Sequence, residues 1–210
     1  MEEGLISIFA VCFLTIAVIF LIIARDWRFR ISSLAVIYGG VFTLVSLSWP
    51  VSLALVKLVA GWMAGAILGM ALANYPKETI IFDPVRQTPP SSERPQSIWA
   101  NRIFRFLLCI LICLVVLSIT PNLVDNLPTI AFEQAFAGLL LVGMGLLQLS
   151  QTAEPDSVAL GLLVFLAGFE TLYAAVETST LLAGLLAGIN LGIALVGALL
   201  ITNPKEEDWR

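Results

Sequence analysis

The chain has 210 residues, of which 59% are hydrophobic and only 12% charged, with a formal net charge of −4 and a mean hydropathy of +0.98. A water-soluble domain of this size needs far more charge to cover its surface, so the composition points to lipid as the solvent of the outer face. Basic residues confined to short loops leave no nucleic-acid footprint, and the lack of any histidine removes the usual metal ligand and near-neutral proton shuttle.

A bilayer core of about 30 Å takes about 20 apolar residues per helix, because lipid cannot satisfy bare backbone groups. On that measure the first span is residues 5–24, closed by Arg25, Arg28 and Arg30. It follows Met-Glu-Glu-Gly with no basic n-region and no Ala-x-Ala-like site behind it, which predicts a retained helix and no signal peptide. The second span, 31–49, is broken by Pro50, and the third is 51–73. Residues 76–101, around Pro89-Pro90-Ser91-Ser92, read as an extended linker. The fourth span is 103–119, followed by a mixed stretch, 121–134, holding Asp125 and Glu133. Spans 135–149, 158–176 and 180–202 complete the set before a polar tail. The expected fold is therefore an all-α, polytopic transmembrane bundle of about seven spans. It divides into a three-helix membrane part (1–75), a cytoplasmic linker (76–101) and a four-helix membrane part (102–210).

Lysine and arginine set the orientation. Arg25, Arg28 and Arg30 lie in the first loop, Lys77, Arg86, Arg94 and Arg102 in the long third loop, and Lys205 and Arg210 in the tail, with Arg105 just inside the fourth span. Seven spans place these regions on one side, while Glu2, Glu3, Asp125 and Glu133 fall on the other. The expectation is an N-terminus outside and a C-terminus in the cytoplasm, in a membrane of the bacterial inner-membrane type.

Two glycine stripes, Gly61/Gly65/Gly69 and Gly184/Gly188/Gly192, predict close helix packing, since small residues let backbones approach where hydrophobicity cannot drive association. Cys12, Cys109 and Cys113 lie inside apolar runs, and the last two, four residues apart, are too few for a closed zinc site. They read as packing or lipid-phase residues.

Ionisable groups inside a membrane are expensive, about 2.5–3.5 kcal/mol on insertion scales, and three qualify: Lys57, Glu170 and Glu177. Glu170 sits deepest in its span, and Glu177 lies two turns further on, near the boundary. By residue count, Lys57 and Glu170 both lie about 10 Å below the same side. If spans three and six touch, the two charges pair; otherwise Lys57 snorkels to the surface. Burial disfavours a carboxylate's charged form and a nearby ammonium restores it, so such a group loads and unloads a proton as its partner or hydration changes, or supplies part of a cation site.

Leu166-Ala167-Gly168-Phe169-Glu170 matches a Leu-x-Gly-apolar-Glu pattern, with small Ala174 and Ala175 following. Over spans five to seven the chain resembles the small K (chain 4L) subunit of respiratory complex I and the C subunit of Mrp-type cation/proton antiporters. The resemblance implies three helices running outside-to-inside first, and a Glu170 belonging to a chain of charged residues along which protons pass. Asn190 stands where complex I members often carry a second glutamate. The resemblance covers about a third of the chain.

The functional expectation is a membrane subunit of a cation/proton-translocating complex, working with antiporter-like membrane subunits on protons or monovalent cations. Lys57, Glu177 and Asn190 are the expected neighbours of Glu170. A stand-alone small transporter and a structural or assembly protein remain as alternatives. An enzyme is not expected, beyond a non-catalytic subunit of an NADH dehydrogenase-like or antiporter complex: there is no Gly-x-Ser-x-Gly, no Cys/His metal set and no phosphate loop. No cofactor is expected.

Overall fold

A computed structural model describes residues 2–24, 26–74, 95–127, 129–151, 154–177 and 179–203. Among the described residues there are seven helices: α1 (Glu2–Ile23), α2 (Trp27–Ser48), α3 (Val51–Asn74), α4 (Pro95–Asn126), α5 (Phe132–Gln151), α6 (Pro155–Ala174) and α7 (Thr180–Thr202). Six of them, α2 to α7, are long and apolar enough to cross a membrane, whereas the apolar stretch of α1, Ser7–Ile23, is shorter. Most of the 76–101 linker, with Lys77, Arg86 and Arg94, lies outside the described residues, as do Arg25 and the tail residues Lys205 and Arg210.

Helices α2 and α4 differ most from the sequence reading. Helix α2 starts at Trp27, so Arg28 and Arg30 belong to its first turns and not to a loop. Helix α4 takes in 95–101 and runs on past Pro121 to Asn126. Pro95 stands at its first residue, where a missing N–H breaks no helical bond. Pro121 lies inside α4, within two turns of its far end, and removes the bond that an N–H there would give the Leu117 carbonyl.

The helices form two layers. Helices α1, α2 and α3 lie side by side, and α4, α5, α6 and α7 lie side by side against them, with α1 on α5, α2 on α6 and α3 on α7. The core between the layers is aliphatic, with Leu14, Leu34, Ile37, Leu140, Met144 and Leu163 all fully buried. The outside is as apolar as the inside: Phe9, Phe104, Leu111, Leu114 and Leu181 are exposed, Leu181 by 79%. Buried polar residues, among them Arg30, Lys57, Gln134, Glu170 and Asn190, sit between the layers. Apolar side chains outward and polar side chains inward is the pattern of a protein dissolved in lipid; the chain is an integral membrane protein by this criterion.

Glycine sets the closest approaches. A Cβ at Gly145 would meet the Phe165 backbone at 2.5 Å, and one at Gly168 would meet Val142 N at 2.6 Å, so α5 and α6 touch along their backbones. A Cβ at Gly61 would overlap the Tyr38 ring, and Cβ atoms at Gly65 and Gly69 would lie 3.7 Å from Leu34 and Ile31, so this stripe faces α2. The second expected stripe is different. Gly184, Gly188 and Gly192 have no neighbour within 4 Å of a Cβ. Helix α7 buries Ala183, Leu186, Asn190, Ala194, Gly197 and Ile201, a line on nearly the opposite side of the helix from the glycines. Its close contact is made instead by Gly197, whose Cβ would meet Ala159 Cβ at 2.7 Å.

Candidate functional site

The Glu170 side chain is placed by a glycine two residues before it. Gly168 seats α6 on the backbone of α5, and two residues turn a helix by about 200°, so Glu170 faces the opposite way, into α2, α3 and α7. It is fully buried. Lys57 of α3, 2% exposed, brings Nζ to 3.4 Å from Glu170 Oε2. Side chains lean toward the start of their own helix. Lys57 therefore leans toward the end of the bundle where α3 begins, and Glu170 leans away from it, so the two heads meet at one depth.

Each remaining atom of the pair has a distinct neighbour. Asn190 Nδ2 donates to Glu170 Oε1 at 3.0 Å, and Tyr38 OH donates to Asn190 Oδ1 at 3.0 Å, with the Leu163 carbonyl 3.4 Å from the same hydroxyl. The tyrosine fixes which way the amide points, because its hydroxyl claims the amide oxygen and leaves the NH₂ for the carboxylate. On the other side, Lys57 Nζ lies 4.9 Å from the centroid of the Trp49 ring, within cation–π range. Neither Lys57 Nζ nor Glu170 Oε2 makes a hydrogen bond among the described residues, nor does the buried Trp49 Nε1. At 3.4 Å the Lys57–Glu170 contact is mainly a charge–charge pair.

Two further polar ties flank this network. Ser48 Oγ donates to Gln134 Oε1 at 2.8 Å, and Gln134 Nε2 donates to the Thr171 carbonyl at 2.9 Å, tying the end of α2 and the start of α5 to α6. At the opposite end of the bundle Arg30 Nη1 pairs with Asp156 Oδ2 at 2.7 Å, and Nη2 donates to Ser157 Oγ at 2.9 Å. Asp156 also lies in the first turn of α6, where the helix dipole favours a negative charge.

Of the residues singled out in the sequence, Glu170, Lys57 and Asn190 come together. Glu177 does not: it lies beyond the end of α6 and is exposed. Tyr38 and Trp49 belong to the network and went unnoticed, because a lone tyrosine or tryptophan in an apolar span carries no spacing signal. Arg30 likewise counted only toward sidedness, yet it is 7% exposed. Cys109 is buried, Cys113 half-buried and Cys12 exposed, all as free thiols. Among the described residues no group of three or more His, Cys, Asp or Glu side chains is placed to hold a metal. No protein-family model, curated protein or solved structure matches the chain.

Proposed function

We propose that the chain is a seven-pass membrane subunit of a multi-subunit cation/proton-translocating complex of the Mrp antiporter or complex I type, with Glu170 as its proton-handling group. The reading takes the N-terminus as outside, the C-terminus as cytoplasmic and the membrane as a bacterial inner membrane. Antiporter-like subunits are its partners, and protons or monovalent cations its cargo. The observation that carries it is the Lys57–Glu170 pair, two opposite charges 3.4 Å apart and buried between the two layers. An ionisable pair is expensive to place at that depth, and a buried carboxylate beside an ammonium changes its proton occupancy as its partner or hydration changes. The Leu166-to-Glu170 pattern adds support, because Gly168 is what turns Glu170 into the bundle.

Cation/proton exchange in vesicles containing the whole complex tests the reading. With Glu170→Gln, which keeps an acceptor for Asn190, exchange is expected to fall to background while the complex still assembles; unchanged exchange rejects the role. The alternative, a clamp that only holds the layers together, makes the opposite forecast for Lys57→Met/Glu170→Leu. An apolar replacement of both charges preserves a clamp and abolishes proton transfer.

A further inference from the structure

The network around Glu170 is lopsided along the bundle. Glu170 is roughly 6 Å of helix from the end of α6 at Ala174, and roughly 22 Å from its start at Pro155. Lys57 is roughly 9 Å from the start of α3 at Val51, next to Trp49. Toward the Arg30–Asp156 end the space between the layers is closed by Leu34, Ile37, Leu68, Leu160, Leu163 and Val164, none more than 1% exposed. Toward the Trp49 end the buried groups are polar: Lys57 Nζ lies 3.4 Å from Glu170 Oε2 and 4.9 Å from the centroid of the Trp49 ring, Trp49 Nε1 is buried without a hydrogen-bond partner among the described residues, and Ser48 and Gln134 pair at the helix ends. Aliphatic packing offers a proton no acceptor, whereas a line of under-satisfied polar atoms invites water.

We propose that the Lys57–Glu170 pair exchanges protons with the aqueous phase at the Trp49 end alone, and that the Trp49 indole is the gate on that route. The inference rests on the reading of Glu170 as a proton-handling group and adds its sidedness. A hydronium arriving past the indole gives its proton to Oε2, turning the ammonium–carboxylate pair into an ammonium beside a carboxylic acid, and water takes the proton back along the same route. The indole face then remains as the neighbour of the ammonium. Among the described residues, Glu170 meets the titratable Lys57 from α3 and Tyr38 from α2. Helix α7 supplies the neutral Asn190, and α5 supplies the neutral Gln134 to the adjacent Thr171 carbonyl. Tyr173 and Glu177 lie further along its own strand of chain.

The test uses the full chain in proteoliposomes, with orientation read from an impermeant thiol reagent on Asp26→Cys, an exposed position at the Arg30 end. Dicyclohexylcarbodiimide adds a protonated carboxyl across its C=N bond, oxygen to carbon and proton to nitrogen, and the rearranged acylurea on Glu170 is quantified by peptide mass. Adduct is expected to rise by up to about tenfold per unit fall in pH at the Trp49 end while the group is mostly ionised, and to ignore pH at the Arg30 end. With a water-soluble carbodiimide added at the Trp49 end, Trp49→Ala should react several-fold faster than wild type and Trp49→Phe close to wild type. Adduct that follows pH at the Arg30 end, or at both ends, overturns the sidedness and leaves the proton-handling role standing. An unchanged rate in Trp49→Ala overturns the gate. Adduct that answers to pH at neither end overturns this inference together with the role it rests on.

Discussion

Removing the charge of Lys57 exposes what the buried pair contributes. At 3.4 Å and an effective dielectric of about 20, two unit charges attract by about 5 kcal/mol, against a desolvation penalty of several kcal/mol for each ion. The net worth of the pair is thus small, while a single survivor keeps its penalty and loses its attraction. Lys57→Met is expected to destabilise by about 3–5 kcal/mol, and Glu170→Gln, which strands the ammonium, by a similar amount. The double variant leaves no buried charge, so it should cost less than either single change, which makes the coupling energy more than about 3 kcal/mol. Unfolding in mixed micelles of increasing denaturing-detergent fraction, followed by tryptophan fluorescence, measures all four corners of the cycle. Additive costs would refute the argument, since they would mean that the two charges do not sense each other across the layers.

Other expectations follow from single contacts. Gly61→Ala puts a methyl group into the Tyr38 ring and should cost about 1–3 kcal/mol in the same unfolding assay. Tyr38→Phe removes the donor to Asn190 and should cost about 1–3 kcal/mol by leaving the amide oxygen unpaired, with a change in the carbonyl stretch of the labelled Asn190 amide as a direct check. Gly188→Leu meets no neighbour and should leave the unfolding midpoint unchanged or raised; a loss of more than about 1 kcal/mol would show that the face is covered within the chain.

Much of the helix pattern was legible in the residues, because apolar runs of membrane length are long and a break such as Pro50 is chemically sharp. The similar depth of Lys57 and Glu170 was also legible, since rise per residue converts directly to distance. That α3 reaches α6's carboxylate was not, because contact between distant spans depends on how the layers stack. The Gly184/Gly188/Gly192 reading failed for a related reason: a small-residue stripe marks where a helix can be approached closely, not which neighbour approaches it. The closest contact, α5 on α6, rests on Gly138 and Gly145 and on Gly161 and Gly168, each pair seven residues apart. A seven-residue spacing also returns to one helix face, two turns on.

The three polar ties between the layers have a mechanical consequence. Aliphatic surfaces in lipid can slide along each other at little cost, because hydrocarbon on either side of the seam is equivalent. Here the Arg30–Asp156 pair, the Tyr38–Asn190–Glu170–Lys57 chain and the Ser48–Gln134–Thr171 link span the length of the seam. A shift of one layer by a helical turn, about 5.4 Å, would undo all of them together. Displacement between the layers is therefore a jump between discrete registers, and a charge change at the middle tie bears on the grip of both ends.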